Sequence, residues 1–376
     1  MFLLSEGVND FRFVQLPWTL DALNVNDNSR RTRLNYELHL NYNRTFAEKH
    51  ATTALLLFKR EKSSRSNYVP ATREDWVGRL TYNYDSRYYI DVNGAYNGSS
   101  KFGDNYRFDF FPSAAVGWRI SEEAFMADLS WLDGLKFKAS YGMVGHDGSL
   151  WQNRWLDQTQ YRSGGYAYMD SENFGNLQEV YQFYMESVVG NPLIHWETSI
   201  KTNYGFELVV LDNHLTVDYD YFTENRKDIL VSGTDRSVHD IFGADPPTAN
   251  TGETEVKGHE IVMGARHRFN NGLSVNGNFS FTRAKDKVIK KEDPELRADY
   301  QKDAGFPIGT NRTPIPGDLL TSLDDLYTSI PLESGQSLRR TGYYEYLDYN
   351  GDGVYSGTYD NVPYGYTNRP ENTWTA

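Results

Sequence analysis

From Arg33 to Asn43 apolar and polar residues alternate without a break. Leu34, Tyr36, Leu38, Leu40 and Tyr42 stand against Arg33, Asn35, Glu37, His39, Asn41 and Asn43. A period of two over so long a run is a β-strand with one dry face and one wet face. The alternation returns in Leu80–Tyr82–Tyr84, Ile90–Val92–Tyr96, Leu135–Phe137–Ala139–Tyr141, Ile200–Tyr204–Phe206–Leu208, Leu215–Val217–Tyr219–Tyr221 and Leu273–Val275–Phe279–Phe281. Weaker versions lie near 11–20, 51–61, 110–120 and 256–268. The pattern predicts about eleven strands of roughly 10–14 residues. Soluble strands usually run ~5–6 residues, whereas a tilted membrane strand needs ~9–11.

The links sharpen this reading. Short ones fall near Thr45–His50, at Asp85-Ser86-Arg87, at Asp212-Asn213 and at Asn270-Asn271-Gly272, with a medium one over Ser121–Gly134. Long ones alternate with them, at 62–72, 98–107, 145–197, 227–254 and 287–371. Short turns at one end and long loops at the other are the signature of an antiparallel, up-and-down transmembrane β-barrel. Tyr42, Trp76, Tyr84, Tyr88, Tyr89, Trp118 and Trp131 sit near strand ends, as aromatic girdles at two membrane interfaces would.

Composition removes other classes. The chain has 376 residues and a net charge of −13, against a nucleic-acid-binding face. It has no cysteine, which excludes disulfide scaffolds, thiol catalysis and Cys-ligated metal sites. No run of apolar residues is long enough for a transmembrane helix, which leaves a barrel untouched. The first residues, Met1-Phe2-Leu3-Leu4-Ser5-Glu6, lack the basic and apolar regions of a signal peptide.

Several segments resemble, in order, those of the SusC/RagA-type TonB-linked outer-membrane receptors. They are Phe110-Phe111-Pro112-Ser113 with Gly117-Trp118-Arg119-Ile120-Ser121, Trp131-Leu132-Asp133-Gly134-Leu135, Asn191-Pro192 with Trp196-Glu197, Asp218-Tyr219-Asp220-Tyr221 with Lys227-Asp228-Ile229-Leu230, Asn250-Thr251-Gly252-Glu253 with Lys257-Gly258-His259-Glu260, and Asp348-Tyr349-Asn350-Gly351-Asp352-Gly353 with Val362-Pro363-Tyr364-Gly365 and Pro370-Glu371. The resemblance covers residues 72 to 376. It implies a wall segment of a large barrel receptor in the outer membrane of a Gram-negative bacterium. Such receptors import glycans or peptides with a SusD-like surface lipoprotein and energy from the TonB complex. It further implies that a signal peptide, plug and TonB box precede Met1 and that more strands follow Ala376. The whole of 1–376 then reads as a partial barrel domain with about half of ~22 strands, and 145–197 and 287–371 as its long extracellular loops.

Asp348-x-Asn350-x-Asp352-Gly353 opens like a calcium loop, with oxygen ligands at positions 1, 3 and 5 and Gly at 6. Val354 would add a carbonyl and Ser356 could act at position 9; Tyr359 replaces the usual carboxylate, and Asp360, one residue late, is the candidate substitute ligand if the loop bulges. A hard-cation site and a solvated acidic turn both remain open. Trp151, Trp155, Tyr166, Tyr168 and Tyr184, in an aromatic-rich loop, are candidate sugar platforms; a packed loop or lid contact is the alternative. His39 and His259 read as lumen-lining, on wet strand faces. No zinc-spaced His pair, phosphate loop or nucleophile elbow occurs, so no enzyme is expected. The competing readings are a passive porin-like channel and a soluble, calcium-containing carbohydrate-binding β module.

Overall fold

The computed structural model describes residues 2–7, 10–14, 30–65, 69–148, 156–168, 180–233, 236–238, 246–334, 339–367 and 369–375. In chain order the strands are β1 (Phe2–Gly7), β2 (Asp10–Val14), β3 (Arg31–Phe46), β4 (His50–Arg65), β5 (Ala71–Tyr84), β6 (Tyr88–Ser99), β7 (Phe108–Arg119), β8 (Leu132–His146), β9 (Gln160–Tyr168), β10 (Val180–Val188), β11 (Glu197–Val210), β12 (Leu215–Val231), β13 (Ala249–Arg268), β14 (Ser274–Lys290), β15 (Thr310–Thr313), β16 (Pro316–Leu319), β17 (Tyr344–Tyr346), β18 (Val362–Thr367) and β19 (Asn372–Thr375). A short helix, α1 (Leu323–Thr328), lies between β16 and β17. Eleven strands form one antiparallel sheet, in the order β19-β14-β13-β12-β11-β8-β7-β6-β5-β4-β3. The sheet is open. β3 is exposed along its whole length, and β19 covers only Ser280–Arg283 of β14. Each edge presents backbone groups that in lipid need a partner strand.

Directly opposed residues of an antiparallel pair share a face. One such row runs Leu38, Phe58, Trp76, Tyr96, Phe110. A second runs Tyr84, Tyr88, Trp118, Phe137, Phe206, Tyr219, Ile261, Phe281, Trp374. Many of these apolar side chains are uncovered: Leu38 is 68% exposed and Phe110 54%. On β5 the face stays apolar from Trp76 to Tyr84, about 26 Å at ~3.3 Å per residue, the scale of a barrel's lipid-facing band. Such a surface is far too large and continuous for a water-facing sheet.

The short links gather at one end. Ala47, Glu48, Asp85, Ser86, Leu211, Asp212 and Asn213 all take positive φ, as does Gly272 at 88°. Paired left-handed residues give the hairpin turn whose twist matches that of the strands. Adjacent turns are tied into one rim: the Asp85 N–H donates to the Lys49 carbonyl (2.7 Å), Arg119 N–H to Arg87 (2.7 Å), Leu211 N–H to Trp131 (3.0 Å) and Arg266 N–H to His214 (2.8 Å). Tyr88 and Trp118 stand at this rim with their polar tips donating to Glu123, at 2.6 and 3.1 Å. These two bonds hold the Glu123 carboxyl below its usual range. Tyr89 does not share the apolar face with Tyr88. It pairs with Gly117 on the opposite side, where Lys136 lies 5.4 Å from its ring centroid.

Several sequence expectations change. The strand read near 11–20 is β2, which pairs with β1 in a separate two-stranded sheet, and residues 15–20 lie outside the described set. β12 and β13 extend into the region read as the 227–254 loop, and β14 reaches Lys290. The 145–197 loop contains the β9–β10 hairpin. His259 lies on the apolar side of the sheet, opposite Tyr221, with its Nδ1 2.7 Å from the Tyr219 hydroxyl. Above the Ile261–Phe281 rung that face turns polar, with His259 opposite Arg283, Lys257 opposite Lys285 and Glu255 opposite Lys287. His259 therefore marks the upper border of the band.

Candidate ligand-facing wall and outer loops

The other face of the same strands carries charge, and that charge is paired across strands. Lys59 lies 3.2 Å from Glu37, Arg79 2.5 Å from Asp91, Lys136 3.4 Å from Glu207 and Lys201 3.6 Å from Glu224. His39 does lie here, 3.5 Å from Glu37. Lys138 of β8 reaches across β11 to Asp218 (2.7 Å) and Asp220 (2.9 Å) of β12. The residue it crosses is Gly205, where a Cβ would stand 2.4 Å from Asp220 Oδ1 and 2.8 Å from Lys138 Cε. A missing side chain thus lets one ammonium bind two carboxylates on the next strand but one. A wall of paired charges stays hydrated without presenting one strong field, which suits passage of polar solutes.

At the long-loop end this wall has a dry core of its own. Phe102, Phe111, Leu156, Ile194 and Trp196 are buried together. Trp196 is 1% exposed and donates through Nε1 to the Arg107 carbonyl (3.2 Å). Its ring meets Phe102 at 5.3 Å and Phe111 at 5.5 Å. Glu197 follows, buried, accepting from the Leu230 N–H (3.0 Å) and from Arg226 (3.3 Å). Asn250 closes the arrangement. Its amide donates to the His195 and Asp228 carbonyls (2.9 and 2.7 Å), and its oxygen accepts the His195 N–H (3.1 Å). Asn191 donates to the Thr248 carbonyl (2.9 Å). The Asn191–Glu197 and Asn250–Glu253 motifs are thus braces for the loop bases. Their partners lie far off in sequence, so alternation alone did not reveal that role.

The expected aromatic platform is only partly visible. Trp151 and Trp155 lie outside the described residues. Tyr166 and Tyr168 belong to β9, opposite Gln182 and Val180, with side chains outside the described set. Tyr184, on β10, is 67% exposed and sits opposite Ser163.

The acidic turn between β17 and β18 is self-braced. Asp348 accepts the N–H groups of Gly351 (2.7 Å), Asp352 (3.2 Å) and Gly353 (2.6 Å). Asn350 Oδ1 accepts the Asp352 N–H, and Asp352 Oδ1 the Val354 N–H, both at 2.9 Å. Gly351 and Gly353 supply the positive φ the bend requires. Asp360 is 0% exposed, and its two oxygens take the N–H groups of Tyr349, Asn350 and Ser356. Three amides on one carboxylate make Asp360 a strut beneath the turn. Among the described residues no group of three His, Asp or Glu gathers where it would hold a metal ion. Elsewhere in this loop, burial raises the Asp303 carboxyl, but Lys291 (2.5 Å) and Arg312 (3.0 Å) outweigh it and keep it below its usual range.

Known proteins share this architecture. Residues 5–368 match the family model described as TonB dependent receptor-like, beta-barrel. TonB-dependent receptor P3 of Formosa agariphila is 29% identical over 57% of this chain and 20% of its own length. TonB-dependent receptor SusC of Bacteroides thetaiotaomicron is 26% identical over 77% of this chain and 28% of its own length. The chain thus spans well under half of these relatives. The RagAB peptide importer in its closed-closed state superposes with a TM-score of 0.65 at 18% identity, over 92% of this chain and 39% of that one, a likeness of fold. With the strand order, the two-faced wall and the family match together, the chain belongs to the TonB-dependent receptor-like β-barrel family.

Proposed function

We propose that this chain forms wall and outer loops of a nutrient importer in the outer membrane of a Gram-negative bacterium. The importer takes oligosaccharide or peptide cargo, works with a SusD-like surface lipoprotein, and draws energy from the TonB complex through regions beyond this chain. The observation that carries this reading is the division of one sheet into a bare apolar face and a face of cross-strand ion pairs beneath braced loops. Membership of a receptor family supports it, and supports a transport role without catalysis.

Trp151, Trp155, Tyr166, Tyr168 and Tyr184 are the side chains assigned to cargo or lid contact. For the acidic turn the proposed ligand is calcium, held by Asp348, Asn350, Asp352 and the Val354 carbonyl, with a loop-ordering role. Its support is three oxygen-bearing side chains on one turn. Calcium should slow amide exchange in 348–360, and an unchanged exchange pattern would remove the assignment.

The test of the main reading is uptake by cells with and without the intact gene, before and after the proton-motive force is collapsed. Loss of energy-dependent uptake of labelled oligosaccharides or peptides is expected in the deletion. Unaltered uptake, or fractionation of the protein away from the outer membrane, contradicts it.

A further inference from the structure

Strand parity fixes which charges look outward. Ile261 of β13 and Phe281 of β14 oppose each other in the apolar band, so every second residue beyond them stays on that side. Toward the loops these are His259, Lys257 and Glu255 on β13 and Arg283, Lys285 and Lys287 on β14. Lys257, Arg283, Lys285 and Lys287 are all exposed. The rest of the wall differs. The outward residues of β6, β7 and β11, in phase with Tyr96, Phe110 and Phe206, include no charged side chain. On β4 the outward cations are Arg60 and Lys62, and Arg60 lies 3.9 Å from Glu74. Four cations on two adjacent strands, on the lipid side and directly above the band, are a local feature of β13 and β14.

Their ion pairs leave positive charge over. Glu255 lies 2.7 Å from Lys257, and Glu371 lies 3.9 Å from Lys285. Among the described residues no carboxylate comes within ion-pair distance of Arg283 or Lys287. Register adds repulsion. Lys257 stands directly opposite Lys285, and like charges so placed destabilise a sheet. On the wet face, by contrast, an opposed cation meets a carboxylate, as Arg79 meets Asp91 and Lys136 meets Glu207. A patch that holds opposed cations side by side is arranged for an anion from outside the chain.

The surface below the patch indicates the kind of anion. Ile261, Met263, Phe279 and Phe281 adjoin it on the same face, and Met263 and Phe279 are exposed. A soluble acid would leave these side chains bare. An anionic lipid uses both regions, with acyl chains along the band and its headgroup among the cations. Arginine offers a planar fork to phosphate oxygens, and lysines add point charges. The long-loop end of such a barrel is its outer end, so the lipid is one of the outer leaflet.

We propose that Arg283, Lys285 and Lys287 of β14, with Lys257 of β13, bind the phosphorylated headgroup of an outer-leaflet lipid whose acyl chains lie on the band. The inference rests on the outer-membrane placement in the importer reading and adds a lipid ligand to it.

The experiment is equilibrium binding to the intact receptor in detergent, followed by thermophoresis. The probes are diphosphoryl lipid A, the same lipid A stripped of phosphate, and inositol hexakisphosphate as a soluble anion. Diphosphoryl lipid A should bind at least about ten-fold more tightly than the stripped form in ~50 mM salt, and the margin should shrink in ~500 mM salt. Arg283→Gln and Lys287→Gln should each weaken it about five-fold, and Lys287→Arg should hold it near the wild type. Lys201→Gln, on the wet face beside Glu224, should change nothing. Arg283 and Lys287 are separate exposed sites, so a folding defect in one variant leaves the other to decide. Equal affinity for the stripped lipid, unchanged affinity in both Gln variants, an equal loss in Lys201→Gln, or tighter binding of inositol hexakisphosphate than of the lipid overturns the site. If the Gln variants keep the lipid and lose a surface lipoprotein instead, the patch is a protein contact and the proposal fails. None of these outcomes touches the importer reading, which falls only with the uptake and fractionation experiment above.

Discussion

Leu80 and Thr81 are neighbours in the chain and belong to opposite worlds. Leu80 pairs with Ala54 and Val92 in the bare apolar band, whereas Thr81 pairs with Thr53 and Asp91 on the face of ion pairs. Among the described residues the band has no packing partner, so its stability must come from a surrounding apolar phase. The charged face has partners everywhere, and where it meets the loops it builds a small buried core. One sheet thus uses two solvents, and each face has a different way to fail.

The largest effect is expected where the wet face turns dry. Trp196→Ala empties the centre of the Phe102–Phe111–Leu156–Ile194 cluster and should cost about 3–5 kcal/mol. Thermal melting should show it, with new protease cuts in 147–196. Melting like the wild type would mean the cluster does not hold the loops.

Next comes the contrast between faces. Leu80→Lys should destabilise the inserted protein by about 2–4 kcal/mol, as cations at mid-depth on a lipid face do. Thr81→Lys, beside Asp91, should stay within about 0.5 kcal/mol. Urea titrations in liposomes measure both, and equal losses would erase the distinction.

A smaller effect is expected from Gly205→Ala. The new methyl collides with Asp220, the Tyr219 carbonyl and Lys138 and should cost about 1–3 kcal/mol. In a double-mutant cycle with Lys138→Met the penalty should shrink. Strict additivity would show that the glycine is not there for the lysine.

The smallest concerns the outer loop, away from both faces. Ser322 caps α1, and Asp325 in its first turn completes the capping box by accepting from the Thr321 and Ser322 N–H groups, both at 2.8 Å. Those bonds hold its carboxyl at about 2, below its ordinary 3.8. A depressed folded value contributes stability above the unfolded pKa and loses it as pH falls through the folded one. Protease resistance of this loop should be level from about pH 8 to about pH 5 and decline below about pH 4, with Asp325→Asn already weakened at neutral pH. A decline centred near neutrality would contradict the assignment.

Much of the wall was legible because burial on one face writes itself as a period of two. The phase failed at His259, where Val256 and Val262 fall on the wet face while Lys257 and His259 extend the outer face above the band. It failed for residues 10–14, whose strand pairs with β1 in a separate two-stranded sheet and not with the wall. The braces Asn191, Glu197 and Asn250 were visible as motifs, but their work depends on contacts tens of residues away.

The central claim is that neighbouring residues of these strands face lipid and water in turn. The chain has no native cysteine, so single cysteines can report each position cleanly. In receptor-bearing membranes, cysteines placed at 79–82 and 90–93 should alternate. Positions 80, 82, 90 and 92 should be shielded from a charged aqueous thiol reagent and quenched by lipid-borne nitroxide, and positions 79, 81, 91 and 93 the reverse. Uniform labelling along both strands, or alternation of opposite phase, would contradict the account.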